Sequence, residues 1–155
     1  MTDHEKIAIK NKLKKWGLDF IAQRIANTQE AIRHAQEGAN SEEKSSAGDK
    51  YETGRAMGHL ERDMHARQLA ESLKELATLH AIQTDTLYEE GSPGALLQTD
   101  DITFFISAGL GRRVVDFQTV FFLSPQAPLA GLLHHKKPGD SIFFNQKNVI
   151  IRDVF

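Results

Sequence analysis

Leu18-Asp19-Phe20-Ile21-Ala22-Gln23-Arg24-Ile25-Ala26-Asn27-Thr28-Gln29-Glu30-Ala31-Ile32-Arg33-His34-Ala35 carries the clearest pattern in the chain. Leu18, Ile21, Ile25, Thr28, Ile32 and Ala35 recur at alternating spacings of three and four. Such a repeat keeps one narrow stripe turned toward a partner helix, which is a coiled-coil seam. Gln23, Arg24, Glu30 and Arg33 fill the remaining faces. Upstream, Thr2 and Glu5 have the spacing of a capping box, so the helix is expected to begin there. Gly17 reads as a weak point, costing about 1 kcal/mol relative to Ala in a helix interior.

Downstream the pattern breaks at 37–49. The Gly, Asn and Ser residues there favour turns and caps. Helical spacing resumes after residue 50. Met57, Leu60 and Met64 form one stripe, and Ala66, Leu69, Leu73 and Leu76 continue it after a phase shift. Two amphipathic helices joined by a short polar segment should pair antiparallel. The expectation is a helical hairpin over 1–88, with its tip at about 38–50 and a length of about 40–50 Å at 1.5 Å per residue.

The second half has another chemistry. Seven of the nine phenylalanines lie in 104–144. The shift falls at Tyr88-Glu89-Glu90-Gly91-Ser92-Pro93-Gly94, a turn-forming linker. Strands are expected at Ala95–Gln98, Ile102–Ala108, Arg113–Phe117, Thr119–Leu123, Ser141–Phe144 and Val149–Val154. Pro128 to Leu133 has helical spacing with Pro at its start. Lys137-Pro138-Gly139-Asp140 has Pro and Gly at type II turn positions. The fold class is therefore α+β: a helical hairpin, then a small antiparallel sheet with one short helix over 94–155. Phe104-Phe105, Phe121-Phe122 and Phe143-Phe144 are adjacent pairs. In a strand each pair sends one ring to each face, so both faces are partly apolar.

The chain has 155 residues, 40% hydrophobic and 26% charged, an ordinary globular balance. A net charge of −2 argues against coating nucleic acid by phosphate neutralisation alone. There is no cysteine, which removes disulfides, thiolate catalysis and Cys-ligated zinc. Met1-Thr2-Asp3-His4-Glu5 lacks the apolar run of a signal peptide, and no stretch reaches the roughly 20 apolar residues of a membrane span. The expectation is a cytoplasmic protein with no membrane partner.

Two patches resemble a known family, the bacterial Gre transcript-cleavage factors. Gly48-Asp49-Lys50-Tyr51-Glu52 is similar to the Gly-Asp-x-x-Glu of their hairpin tip. Ser124-Pro125-Gln126-Ala127-Pro128-Leu129-Ala130-Gly131-Leu132-Leu133, followed by Lys136-Lys137-Pro138-Gly139-Asp140, is similar to a segment of their FKBP-like domain. Thr53 follows Glu52 where the family usually has Asn, and Ser41–Ala47 has no counterpart. The resemblance implies an accessory factor of RNA polymerase, touching nascent RNA only indirectly. Its tip would enter the polymerase secondary channel and promote cleavage of backtracked RNA. Asp49 and Glu52 would be the tip carboxylates, assisting a Mg²⁺ shared with the polymerase; no intrinsic cofactor is implied. Pro128, Leu129 and Leu132 are the candidate partner contacts.

Other readings of the same residues stand beside this one. Asp49 and Glu52 also fit the N-cap and first-turn acid of the second helix. Glu42 and Glu43 are competing tip acids. Lys10, Lys12, Lys14 and Lys15 read as a solvated basic face, and Arg112-Arg113 as a hairpin turn with charged edges. His134 and His135, being adjacent, should point apart. The alternatives in function are a channel-binding regulator without cleavage, and an FKBP-like prolyl isomerase.

Overall fold

The computed structural model describes the backbone of residues 1–43 and 48–155, and the side chains outside residues 39–51. Helix α1 spans Asp3–Glu43 and helix α2 spans Gly48–Ala81. Their 41 and 34 residues give lengths of about 60 and 50 Å at 1.5 Å per residue. The capping box forms as expected. The Glu5 backbone N–H donates to Thr2 Oγ1 at 3.2 Å, and the Thr2 nitrogen donates to Glu5 Oε2 at 3.3 Å. The chain divides into two compact units, Phe20–Leu76, and Met1–Asp19 with Ala77–Phe155, so both helices contribute to each.

Residues 20–76 are a two-helix unit. The α1 seam is borne out: Ile21 and Ala35 are buried, and Ile25, Thr28 and Ile32 are half-buried, while most other positions are exposed. The α2 stripe is the expected one only in part. Met57 and Leu60 are both 66% exposed, and Met64 and Leu73 also face outward. The less exposed positions include Gly58, Arg62, His65, Leu69, Ser72 and Leu76, with Gly54, His59 and Glu75 beside them. Leu79, further along the same helix, is fully buried and lies on the same repeat. Run back from Leu79, the 3-4 repeat passes 76, 72, 69, 65, 62 and 58 and leaves 57, 60, 64 and 73 outside. Of the expected stripe, Leu69 and Leu76 do face inward, whereas Met57, Leu60, Met64, Ala66 and Leu73 do not.

The other unit is built on a sheet. Strands β1 (Leu96–Gln98), β2 (Ile102–Ile106), β3 (Gly111–Val115), β4 (Gln118–Leu123) and β7 (Asp153–Val154) form one sheet in the order β3-β4-β2-β1-β7. Strands β5 (Ser141–Phe144) and β6 (Lys147–Ile150) make a separate hairpin. The short helix α3 (Pro128–Leu133) lies between β4 and β5, with Pro at its start as expected. All pairings are antiparallel except β2–β4, which is parallel. The chain leaves β2, builds β3 at the edge, and returns as β4 beside β2.

The expected last strand is two strands. Ile151 N–H donates to the Asp140 carbonyl and Arg152 N–H to the Gln98 carbonyl, so the chain leaves β5 and crosses to β1. The expected strand ends near 117 also move. Asp116 (φ 49°) and Phe117 (φ 65°) form a two-residue turn between β3 and β4. Both angles are positive, the requirement of a type I′ hairpin that Asn-Gly usually meets. Lys137–Asp140 closes as a turn, with the Asp140 N–H on the Lys137 carbonyl and Gly139 at φ 95°.

The paired phenylalanines divide between two faces. Phe104, Phe121 and Phe144 meet on one face, with Phe144 edge-on to both others. This face, with Leu97, Ile106 and Leu123, packs with Ala130 and Leu133 of α3 and with Ile142 and Val149. On the other face Trp16 stacks on Phe122 at 5.4 Å, with Phe105 behind it. Gly17 explains this close approach. A Cβ there would lie 2.7 Å from Leu79 Cδ2, 3.3 Å from Leu110 Cδ1 and 3.5 Å from Phe122 Cε1. The residue that costs helix propensity is the one that lets α1 lie against the sheet.

Candidate functional site

The candidate acids lie where the two helices meet in sequence. Helix α2 starts at Gly48, so positions 49 and 52 fall in its first turn, three residues apart. That is the same-face spacing of a helix. Glu52 is exposed. The side chains of Asp49, Glu42 and Glu43 lie outside the described residues. Their donor chemistry suits Mg²⁺, which takes carboxylate oxygens and keeps several waters, so one or two protein ligands suffice. Among the described residues, no three His, Asp or Glu side chains converge on a metal-sized site.

Further along α1, Arg33 is held between two carboxylates. It donates to Glu30 and, at 2.6 Å, to Glu37, while His34 lies 3.1 Å from Glu30. The Arg33 hydrogen bond, with its charge, holds the Glu30 carboxyl below its ordinary range. These groups are solvent-exposed, so the network orders a helix surface and adds little stability. In the groove between the helices, Phe20, Arg24, Asn27, Thr28, Ala31, His65 and Gln68 line a space of about 400 Å³.

The three candidate partner contacts separate by burial. Pro128 and Leu132 are exposed on α3, four residues apart on one face. Leu129 is half-buried against the core, so packing already uses part of it.

The lysine cluster divides: Lys12 and Lys15 are exposed, as expected of a solvated face, whereas Lys10 and Lys14 turn inward. Lys14 Nζ donates to the His80 carbonyl at 3.0 Å and the Ile82 carbonyl at 2.7 Å. It thereby satisfies orphan carbonyls at the end of α2, where a cation also suits the helix dipole. Lys12 pairs with Asp116, and Lys15 with Asp19. Lys10 is wholly buried. Its Nζ donates to the Thr86 carbonyl at 2.8 Å and sits 4.8 Å from the centre of the Tyr88 ring.

Burial pulls the Lys10 ammonium down to about 8, against the opposing charge of Asp85. The folded chain therefore holds fewer protons here than the unfolded chain between about pH 8 and the ordinary lysine value. Stability contributed by this group is lowest below pH 8 and rises as pH increases through that window. The expected slope is on the order of 1 kcal/mol per pH unit. Urea titrations at pH 7.5 to 10 check it against Lys10→Met, in which this rise should be absent. Equal slopes in both proteins would refute it.

The two adjacent histidines do not point apart. His135 adopts φ 64°, and the two rings lie 3.7 Å apart. His135 Nδ1 is 2.7 Å from Glu90 Oε1, and Lys137 approaches the same carboxylate at 4.0 Å. The His135 hydrogen bond is the main reason the Glu90 carboxyl falls below its ordinary range. Beneath this contact, the Gly91 N–H donates to the Lys136 carbonyl and the His135 N–H to the Gly91 carbonyl, both at 2.8 Å. These histidines help fasten the linker to the end of α3. No sequence signal pairs residue 90 with residue 135.

Compared with models of known protein families, the chain matches none, and no curated protein matches it. Among the described residues, no helix is long and apolar enough to cross a membrane.

Proposed function

We propose that this protein binds RNA polymerase as a secondary-channel elongation factor and promotes cleavage of backtracked RNA. The observation that carries the reading is the pairing of two long helices with carboxylates at positions 49 and 52, at the start of the second. The resemblance of this segment, and of residues 124–140, to Gre factors supplies the partner. Asp49 and Glu52 would offer oxygen ligands to a Mg²⁺ shared with the polymerase. That ion would supply charge stabilisation and an activated water. The protein's own part is to bring two carboxylates to another enzyme's site and hold them on a helix.

The prolyl-isomerase reading is the third: of the six paired phenylalanines, Phe104, Phe105 and Phe122 are used in packing, while Phe143 is exposed and Phe121 and Phe144 are half-buried. A regulator that occupies the channel without cleavage remains the second reading, favoured by Thr53 where the family carries Asn. Stalled, backtracked elongation complexes incubated with the protein and Mg²⁺ separate these readings. Accelerated cleavage, abolished in Asp49→Ala and Glu52→Ala while binding persists, is the expected result. Binding without cleavage would transfer the assignment to the non-catalytic regulator. Absence of binding would overturn both.

A further inference from the structure

We propose that the free edge of β3 is a docking site for an extended, acidic segment of another protein chain. Strand β3 ends the five-stranded sheet and pairs only with β4. The two-residue turn at Asp116-Phe117 makes Val115 and Gln118 a hydrogen-bonded pair. Hydrogen-bonded pairs alternate along an antiparallel ladder, so Arg113–Val120 and Gly111–Phe122 are bonded as well. Arg112 and Val114 therefore aim their N–H and C=O groups away from the sheet. Both residues are exposed, and nothing in the described structure pairs with those groups. A row of backbone donors and acceptors at this spacing is complementary to one kind of object, another extended strand.

Side chains restrict which strand. Arg112 and Val114 share one face of β3, and Val114 is 58% exposed. Arg112 makes no ion pair among the described residues. Past the strand's end, Phe117 is 101% exposed, held at a positive φ that a bulky side chain rarely adopts. The edge thus offers a cation, an apolar contact and a protruding ring. An incoming strand with an acid opposite Arg112 and an apolar residue opposite Val114 would satisfy it.

A second copy of this chain fits this edge less well in the register that uses both outward residues. Two-fold pairing of β3 through Arg112 and Val114 would set Arg113 against Arg113 of the copy in a close, non-hydrogen-bonded pair. The Arg113 charge deters that self-pairing, and the Arg112 charge favours an acidic partner. The proposal does not depend on polymerase binding.

Two short fluorescent peptides test it on the full chain, one alternating Glu with Val and one alternating Lys with Val. The Glu peptide is expected to bind and to slow hydrogen exchange at the Arg112 and Val114 amides; the Lys peptide is not. Val114→Pro removes an outward N–H at an edge position where proline is tolerated. It should abolish binding with an unchanged circular dichroism spectrum. Arg112→Glu should weaken the Glu peptide roughly tenfold or more and admit the Lys peptide. Unslowed exchange at those two amides, or equal binding of both peptides, would overturn the assignment.

Discussion

Gly91→Ala is expected to destabilise the protein by roughly 3 kcal/mol or more, a large effect for one methyl group. A Cβ at residue 91 would lie 1.8 Å from the Leu133 carbonyl oxygen and 2.8 Å from its carbon. Those atoms are backbone, at the end of α3, and cannot rotate aside. The Gly91 N–H and C=O are both engaged, with Lys136 and His135. Relief of the clash must therefore break one of these hydrogen bonds or move Leu133, which is fully buried. Chemical denaturation reads the outcome directly as a lower midpoint at an unchanged slope. A loss below about 1 kcal/mol would mean that the linker can shift freely, contrary to this packing.

Phe122→Ala should cost about 3–5 kcal/mol. Phe122 is fully buried and stacks on Trp16, so the change removes core volume and an aromatic contact at once. The surrounding atoms are poorly placed to collapse inward. Phe105 is held in the centre of the sheet by β2, and Leu110 and Leu79 already crowd Gly17. Trp16 is the single tryptophan, so its emission reports this site alone. The expected signature is a red-shifted native emission together with a lower denaturation midpoint. An unshifted emission with a loss under 1 kcal/mol would show that the Trp16 contact contributes little.

Several features are legible in the sequence alone. The capping box at Thr2 and Glu5, the α1 seam, Pro128 at the head of α3 and the turn at Lys137–Asp140 are all local. Each depends on residues within about one helical turn or one tight turn of one another. The division of paired phenylalanines between two sheet faces follows from the two-residue period of a strand. That positions 49 and 52 share one helix is local in the same way.

The misread features share a different cause. Met57, Leu60 and Met64 look like a seam, yet they face outward, off the 3-4 repeat on which Leu69, Ser72 and Leu76 lie. Lys10 and Lys14 look solvated, yet their amines reach carbonyls at residues 86, 80 and 82. His134 and His135 meet because a positive φ at residue 135 turns the chain. Arg112 and Arg113, read as a turn, lie on an edge strand, and the turn falls at Asp116-Phe117 without its usual residues.

The seam that pairs two helices and the change of period that begins a sheet are properties of the chain alone, since short-range sterics and hydrophobic spacing produce them. Which face of α2 turns inward, why Gly17 and Gly91 admit no side chain, and which strand edge stays open were decided by tertiary packing. Those outcomes depend on atoms tens of residues apart being brought within van der Waals contact, where a single methyl group changes the balance.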